Sequence, residues 1–304
     1  MIYPSSLHPG DKIAIVSPAG RVNPKYIEEA RQLLLKEKFQ VEIFPNSFGE
    51  FHQFSGTDRE RATDMQQALD DPEVKAILFS RGGYGSLRTL MLLDWQGFLR
   101  NPKWLIGFSD ITVFHSCLSL QGVASIHGIM PAFFIENGQR TDSFDRLLNL
   151  LRGKSLNYSI EPNILNLPGI CHGELAGGNL SLLYSLRGTS LDLLYDGKVL
   201  FIEDISEFDY HIDRMMMNLK FGGALSRLAG IVVGYFTDTK IPASPFGMDA
   251  YGIIREAVEG LNIPVVFGFP AGHELPNYPL VMGGEITMNV SERSVEISQI
   301  LPRG

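Results

Sequence analysis

The sequence predicts an α/β protein made of an N-terminal domain with a parallel sheet and a smaller, strand-rich C-terminal domain. In the first half, short β-rich runs alternate with helical patterns, which is typical of βαβ units. Near the C-terminus, GEITMNV and SVEISQI alternate apolar and polar residues, as antiparallel strands do. A length of 304 residues favours two domains.

The N-terminal domain is expected to cover residues 1–152. Its strands are predicted at residues 12–20, 40–44, 75–80, 104–108 and 123–128. Its helices are predicted from Pro24 onward, over 58–69 and over 111–121. In the second of these helices, Asp58 is the expected N-cap and Arg61 is expected on the outer face.

The pattern breaks over residues 153–170, where glycine, proline and asparagine predict a linker between the domains. The C-terminal domain is therefore expected to cover residues 171–304. Its strands are predicted at 198–204, 229–236, 264–269, 284–290 and 294–300, with a helix at 249–261.

Composition restricts the class of protein. The net charge of −8 disfavours nucleic acid as a partner, because binding phosphates needs a basic surface. The two cysteines, Cys117 and Cys171, form no CxxC pair and are expected to be buried thiols in a reducing compartment. The first residues have no signal-peptide pattern, and no apolar stretch reaches the ~18 residues that span a bilayer. We therefore expect a cytoplasmic protein with no membrane partner.

Ser109 is the first candidate for chemistry. It follows an apolar strand in WLIGFSDIT and precedes a helical pattern, at the carboxyl end of a strand, where parallel sheets carry their functional groups. A serine at such a turn can present its hydroxyl to a substrate near the free amides of a helix N-terminus. The second glycine of a GxSxG elbow is absent, so the local pattern alone favours a simple helix cap over a nucleophile.

The segment FSRGGYGS, which holds Arg81, Gly82, Gly83 and Tyr84, is a second candidate. Glycines after a strand let backbone amides face an anion. The segment lacks the GK[ST] end of a Walker A loop and the spacing of a Rossmann fingerprint. It predicts an anion-binding loop of unspecified use, or an ordinary turn.

An acidic run and a loop histidine complete the set. The acids of LFIEDISEFDYHIDRM allow a divalent-metal site or a solvated helix start. Among them, Glu203 directly ends an apolar strand and needs a partner such as histidine. His273 lies in a loop rich in glycine and proline, where a surface histidine is the commoner case, and no histidine pair has metal-ligand spacing. We expect no metal and no cofactor. A serine, a carboxylate, a histidine and glycine amides are the parts of an acyl-transfer site.

The sequence resembles the LD-carboxypeptidase family of serine peptidases, which includes muramoyl-tetrapeptide carboxypeptidases and microcin self-immunity proteins. The resemblance runs in order through PGDKIAIVSPAG, SGTDRERATDM, RGGYGSLRTLMLLDW, LIGFSDIT, GELAGGNLSLL, VLFIEDISEFDYHIDRM and GHELPNYPLVMGG. It implies an N-terminal domain similar to class I glutamine amidotransferases and a β-rich C-terminal domain. It also implies a homodimer.

The resemblance further implies a catalytic triad of Ser109, Glu203 and His273, with oxyanion donors from the backbone amides of Asp110 and Gly83. The serine would attack the scissile carbonyl and form an acyl-enzyme, with His273 as base and Glu203 orienting it. The implied reaction is D-alanine release from a muropeptide tetrapeptide during peptidoglycan recycling. Arg81, Gly82 and Tyr84 are the expected substrate contacts.

Three alternatives remain. A microcin-immunity-like hydrolase of aminoacyl or peptidyl nucleotides is less favoured, because those proteins are longer and carry an aromatic loop for the nucleobase, whereas this chain has only Trp95 and Trp104. A non-catalytic muropeptide-binding protein of the same fold is disfavoured by the presence of all three triad residue types. A nucleotide-binding α/β protein would need the phosphate-binding lysine that the glycine loop lacks.

Overall fold

A computed structural model describes residues 1–240 and 243–302. The chain divides into two compact units. Unit 1 comprises Met1–Lys154, Tyr278–Val281 and the residues from Leu301 onward, and unit 2 comprises Ser155–Asn277 and Met282–Ile300. The segment 153–170, which the sequence analysis assigned to a linker, contains a five-residue strand and the start of a long one.

The strands and helices predicted from the sequence occur in the predicted order, and the structure contains further elements that were not predicted. The strands are β1 (Lys12–Val16), β2 (Gln40–Ile43), β3 (Val74–Phe79), β4 (Trp104–Gly107), β5 (Ser125–His127), β6 (Ile135–Glu136), β7 (Gln139–Arg140), β8 (Leu156–Ile160), β9 (Gly169–Asn179), β10 (Val199–Ile205), β11 (Gly230–Thr237), β12 (Val265–Phe267), β13 (Leu280–Met282), β14 (Glu285–Val290) and β15 (Val295–Gln299). The helices are α1 (Pro24–Lys36), α2 (Asp58–Asp70), α3 (Ser86–Leu90), α4 (Gln96–Arg100), α5 (Thr112–Leu120), α6 (Asp142–Leu151), α7 (Leu180–Leu186), α8 (Asp209–Phe221) and α9 (Ala250–Ala257). Within the described ranges, no helix has the length and apolarity to cross a membrane.

Unit 1 is built on the predicted parallel sheet. Its strand order is β13-β5-β4-β3-β1-β2, and the pairs from β2 through β5 are parallel. The central strands β3 and β4 are buried along almost their whole length, as expected where helices cover both faces. The turns after β1, β3 and β4 therefore leave the same edge of the sheet, and these turns carry Ser17, Arg81 and Ser109.

Helix α2 differs from its sequence prediction in two respects. Its N-cap is Thr57 rather than Asp58, because Thr57 and Glu60 form a reciprocal capping box. Arg61, expected on the outer face, is buried with no exposed side-chain surface. Both predictions were wrong. The burial of Arg61 follows from its helical spacing with the buried Met65, which places both side chains on the inner face.

Unit 2 is a mixed sheet in the order β12-β11-β10-β9-β14-β15-β8. Strands β9 to β12 are parallel, whereas β14 pairs antiparallel with both β9 and β15, and β8 pairs antiparallel with β15. The antiparallel prediction for the two C-terminal strands is confirmed. Met215 of α8 and Ile253 of α9 pack with Ile202 of β10 in one apolar core, which holds the end of β10 in place.

Both cysteines are unpaired thiols. Cys117 is buried and Cys171 is half-buried. Burial raises the pKa of each thiol to about 11, although hydrogen bonds from Gln121 and Met288 oppose the shift. Both thiols are therefore protonated at neutral pH and are poor nucleophiles.

Candidate active site

Ser109 lies on a strained turn at the end of β4. Phe108 is fully extended, and Ser109 then takes a φ of +66°, in the left-handed region that residues with a side chain rarely adopt. A 3₁₀ turn, Ser109–Ile111, leads directly into α5. The N-cap of this turn is Phe108, so the alternative interpretation of Ser109 as the helix cap does not describe the turn.

Gly107 is required by the path of this turn. A Cβ at Gly107 would lie 2.9 Å from a side-chain carbon of Ile111 and 3.1 Å from the ring of Phe79. The turn therefore folds back tightly over the end of β4. This explains the glycine two residues before the serine in GFSD, and it is the geometry of a strand-to-helix nucleophile turn.

The glycine loop after β3 lies against Ser109. A Cβ at Gly82 would lie 3.0 Å from Ser109 Cβ and 3.2 Å from both Ser109 Oγ and the Asp110 backbone nitrogen. Gly83 follows with a φ of +95°, and the Gly82 carbonyl accepts a hydrogen bond from Gly20 N at 3.0 Å. Unit 1 thus brings the loop, the Ser109 hydroxyl and the Asp110 amide together.

Arg81 and Tyr84 flank this loop and are exposed to solvent. Arg81 Nη1 donates to the Arg21 carbonyl at 2.6 Å, and the Tyr84 ring lies 6.2 Å from that of Phe54. In the part of the chain that the structure describes, no carboxylate pairs with Arg81, whereas neighbouring Arg21 pairs with Glu50. The Arg81 guanidinium is therefore a cation with free donors beside the loop.

Unit 2 holds a buried histidine–glutamate pair. His273 Nδ1 and Glu203 Oε2 are 2.7 Å apart, with the Glu203 side chain fully buried and that of His273 12% exposed. A carboxylate at Nδ1 favours the tautomer that donates from Nδ1 and carries no proton on Nε2, the atom that can then accept one. The pair is thus an oriented general base.

Packing around Gly234 of β11 brings the two residues together. A Cβ at Gly234 would lie 2.4 Å from the Ala271 carbonyl and 3.3 Å from Glu203 Cβ. Tyr235 N donates to that carbonyl at 2.9 Å, and Gly272 N donates to Asn277 Oδ1 at 3.2 Å. The loop that carries His273 is therefore closed on itself and fixed to the strand beside Glu203.

The pKa of His273 reflects two opposing causes. Burial would lower it by disfavouring the charged imidazolium. The negative charge and hydrogen bond of Glu203, with a smaller contribution from Asp204, outweigh burial and raise the pKa above its usual 6.5. The imidazolium that would form on proton transfer is therefore stabilised by its own surroundings.

Asp204 is a buried carboxyl that in the sequence is only one member of an acidic run. It accepts hydrogen bonds from Asn179 Nδ2, Ser181 N and Ile205 N, each at 2.8 Å. Burial, followed by the charge of Glu203, raises its pKa to about 7. The sequence signal was its position beside Glu203 on an apolar strand. Across residues 1–240 and 243–302, no group of three His, Cys, Asp or Glu side chains could hold a metal ion.

Comparison with known proteins matches the two halves of the chain to two different domain families. The LD-carboxypeptidase N-terminal domain profile matches residues 13–128, and the LD-carboxypeptidase C-terminal domain profile matches residues 172–288. A probable murein peptide carboxypeptidase of Bacillus subtilis is 32% identical over 309 residues, covering 99% of this chain and 96% of that protein.

Two further comparisons bear on the chemistry. A crystal structure of muramoyltetrapeptide carboxypeptidase from Oxalobacter formigenes matches with a TM-score of 0.88 at 27% identity, covering 96% of this chain and 100% of that one. The microcin C7 self-immunity protein of Escherichia coli is 24% identical over 278 residues, covering 81% of this chain and 80% of that protein.

Proposed function

The chain belongs to the LD-carboxypeptidase family and is a serine carboxypeptidase, and we propose that it releases the terminal D-amino acid of a murein tetrapeptide through an acyl-enzyme. The names of the Bacillus and Oxalobacter relatives support a murein peptide as substrate. The observation that carries the proposed mechanism is the buried hydrogen bond between Glu203 and His273. A serine hydroxyl is a weak nucleophile and needs a general base, and a histidine oriented by a carboxylate is such a base.

In the proposed reaction, His273 accepts the proton of the Ser109 hydroxyl as its oxygen attacks the scissile carbonyl. The carbonyl π electrons move to oxygen, and the backbone amides of Asp110 and Gly83 stabilise that oxyanion. His273 then protonates the leaving amine, so the C–N bond breaks and D-alanine departs. Water hydrolyses the acyl-Ser109 ester with His273 as base, and Glu203 stabilises the imidazolium in both halves.

We assign the free carboxylate of the terminal residue to Arg81, with the glycine loop at Gly82 and Tyr84 completing the contacts. The unpaired guanidinium of Arg81 supports this, because arginine binds carboxylates through two parallel hydrogen bonds. A carboxypeptidase must recognise this carboxylate to restrict cleavage to the last bond. We also propose a cytoplasmic homodimer acting in peptidoglycan recycling, which sedimentation and cell fractionation would test.

The test is turnover of defined substrates by the purified protein. D-alanine release is measured from a tetrapeptide ending in diaminopimelate–D-alanine and from its lysine counterpart, and amino-acid release is measured from an aminoacyl sulfamoyl-adenylate. Release from either tetrapeptide, lost in His273→Ala, is the expected result. Turnover of the adenylate alone would instead favour the microcin-immunity activity. Tetrapeptide binding without turnover would favour a non-catalytic muropeptide-binding protein.

A further inference from the structure

Arg61 is a fully buried arginine in unit 1 with no role in the mechanism above. Its Nε donates to the Gly56 carbonyl at 3.1 Å, and its Nη1 contacts the Gly85 carbonyl at 2.9 Å and Thr89 Oγ1 at 2.8 Å. Nη1 also contacts the Pro18 carbonyl, and Nη2 pairs with Asp58. Burying a guanidinium is costly unless such bonds replace its water.

The carbonyls that Arg61 binds belong to three different turns. Pro18 lies after β1, Gly56 precedes α2, and Gly85 ends the glycine loop after β3. The fit at the loop is close, because a Cβ at Gly85 would lie 2.8 Å from Arg61 Nη1. A single cation therefore ties the glycine loop to the turn after the neighbouring strand.

The carboxylate of Asp110 holds the same loop from the other side. Asp110 Oδ2 accepts a hydrogen bond from Ser86 N at 2.7 Å, and the side chain is 3% exposed. At the start of the loop, Gly82 packs on Ser109 and the Asp110 backbone nitrogen. Asp110, whose backbone amide is the other proposed oxyanion donor, therefore contacts the glycine loop both at Gly82 and at Ser86. The segment between these two contacts contains Gly83.

We propose that Arg61 and the Asp110 carboxylate are positioning residues of the oxyanion site, which fix the separation of the Gly83 and Asp110 amides. This inference rests on the proposed function. Neither side chain touches the substrate. Their effect is on the loop, which they hold in the arrangement that receives the oxyanion. Because catalytic donors work only when held within a few tenths of an ångström, loosening the loop weakens transition-state binding more than substrate binding.

The test compares Arg61→Lys with the matched control Arg88→Lys. Arg88 binds the same Asp58 carboxylate, with Nη2 at 2.6 Å, but its side chain is exposed to solvent. Arg61→Lys keeps the positive charge but removes the guanidinium nitrogen that binds the Gly85 and Pro18 carbonyls. We expect its kcat to fall about 100-fold, the loss typical of one oxyanion donor, with KM within about threefold. Arg88→Lys should retain wild-type kcat.

A second measurement separates positioning from general damage. A peptidyl boronic acid forms a tetrahedral adduct with a catalytic serine and places an oxygen in the oxyanion site. In Arg61→Lys its Kd should rise about as much as kcat falls. Asp110→Asn should show the same pattern at about tenfold, because it replaces one carboxylate oxygen, an acceptor for the backbone N–H groups of Gly85 and Ser86, by an NH2 group that only donates. If Arg61→Lys does not fold, Asp110→Asn decides the question.

Equal kcat in folded Arg61→Lys and Arg88→Lys would overturn the inference, as would a rise in KM at unchanged kcat. If only Asp110→Asn can be measured, unchanged kcat and boronate affinity would overturn it. Failure of the proposed function looks different, because Ser109→Ala would then keep wild-type turnover. Ser109→Ala could lose activity while Arg61→Lys and Asp110→Asn keep wild-type kcat. That result would support the proposed mechanism and reject only the positioning role.

Discussion

Glu203→Gln tests whether the glutamate sets the proton affinity of the base. The substitution keeps an oxygen that can accept from His273 Nδ1, now 2.7 Å from Oε2, but removes the charge. His273 must be neutral to accept the serine proton, so the acid limb of kcat/KM reports its pKa in the free enzyme. In the wild type that midpoint should lie above pH 6.5, because Glu203 and Asp204 outweigh burial.

The size of the shift follows from the geometry. Two charges about 4 Å apart interact by about 4 kcal/mol at an effective dielectric constant of 20, which corresponds to about three pKa units. Burial remains in the variant, and of the two carboxylate charges that raise the pKa of His273 only that of Asp204 remains. We expect the midpoint to fall toward or below pH 6.5, and the plateau of kcat to fall as well.

The assay is D-alanine release from the tetrapeptide between about pH 5 and 9. The matched control is Glu285→Gln, because Glu285 pairs with His172 at 3.0 Å on an exposed surface of the same unit. That variant should leave the acid limb unchanged. An acid limb in Glu203→Gln at the wild-type midpoint, with wild-type kcat, would refute the assignment of His273 and Glu203 as the base and its partner.

Gly82→Ala should lower kcat at least 100-fold, because its Cβ would lie 3.0 Å from Ser109 Cβ and displace the loop; steady-state kinetics checks this, and wild-type kcat would contradict the close approach. Arg81→Ala should raise KM about 10- to 100-fold for the free acid and leave a C-terminally amidated substrate unaffected. An equal effect on both substrates would exclude Arg81 as the carboxylate site. Thr57→Ala removes the capping box and should lower the free energy of unfolding by about 1 kcal/mol in urea titration. An unchanged midpoint of unfolding would show that Glu60 alone is enough to cap the start of α2.

The sheet of unit 1 could be predicted from sequence because local periodicity determines it. The strands of residues 12–20 and 75–80 were found to within a few residues as β1 and β3, since a buried parallel strand is a short apolar run between turns. The antiparallel pair β14 and β15 was equally clear, because one face is buried and the other exposed.

The N-cap error at α2 was local, since it missed the capping box of Thr57 and Glu60, whereas the other failures arose where long-range contacts override local pattern. Arg61 was placed on the surface because arginine is usually exposed, but carbonyls from turns distant in sequence supply its partners. The approach of Glu203 to His273 spans 70 positions, and no local period encodes it. Only the resemblance to a family implied that pair. The positive φ of Ser109 was likewise invisible, since the second glycine that marks an elbow is absent.

The role of Ser109 as the nucleophile is tested by the kcat of Ser109→Ala with the tetrapeptide substrate, measured alongside its circular dichroism spectrum. We expect a folded protein whose D-alanine release falls by about 10⁴- to 10⁶-fold. Release at the wild-type rate from folded Ser109→Ala would contradict that role.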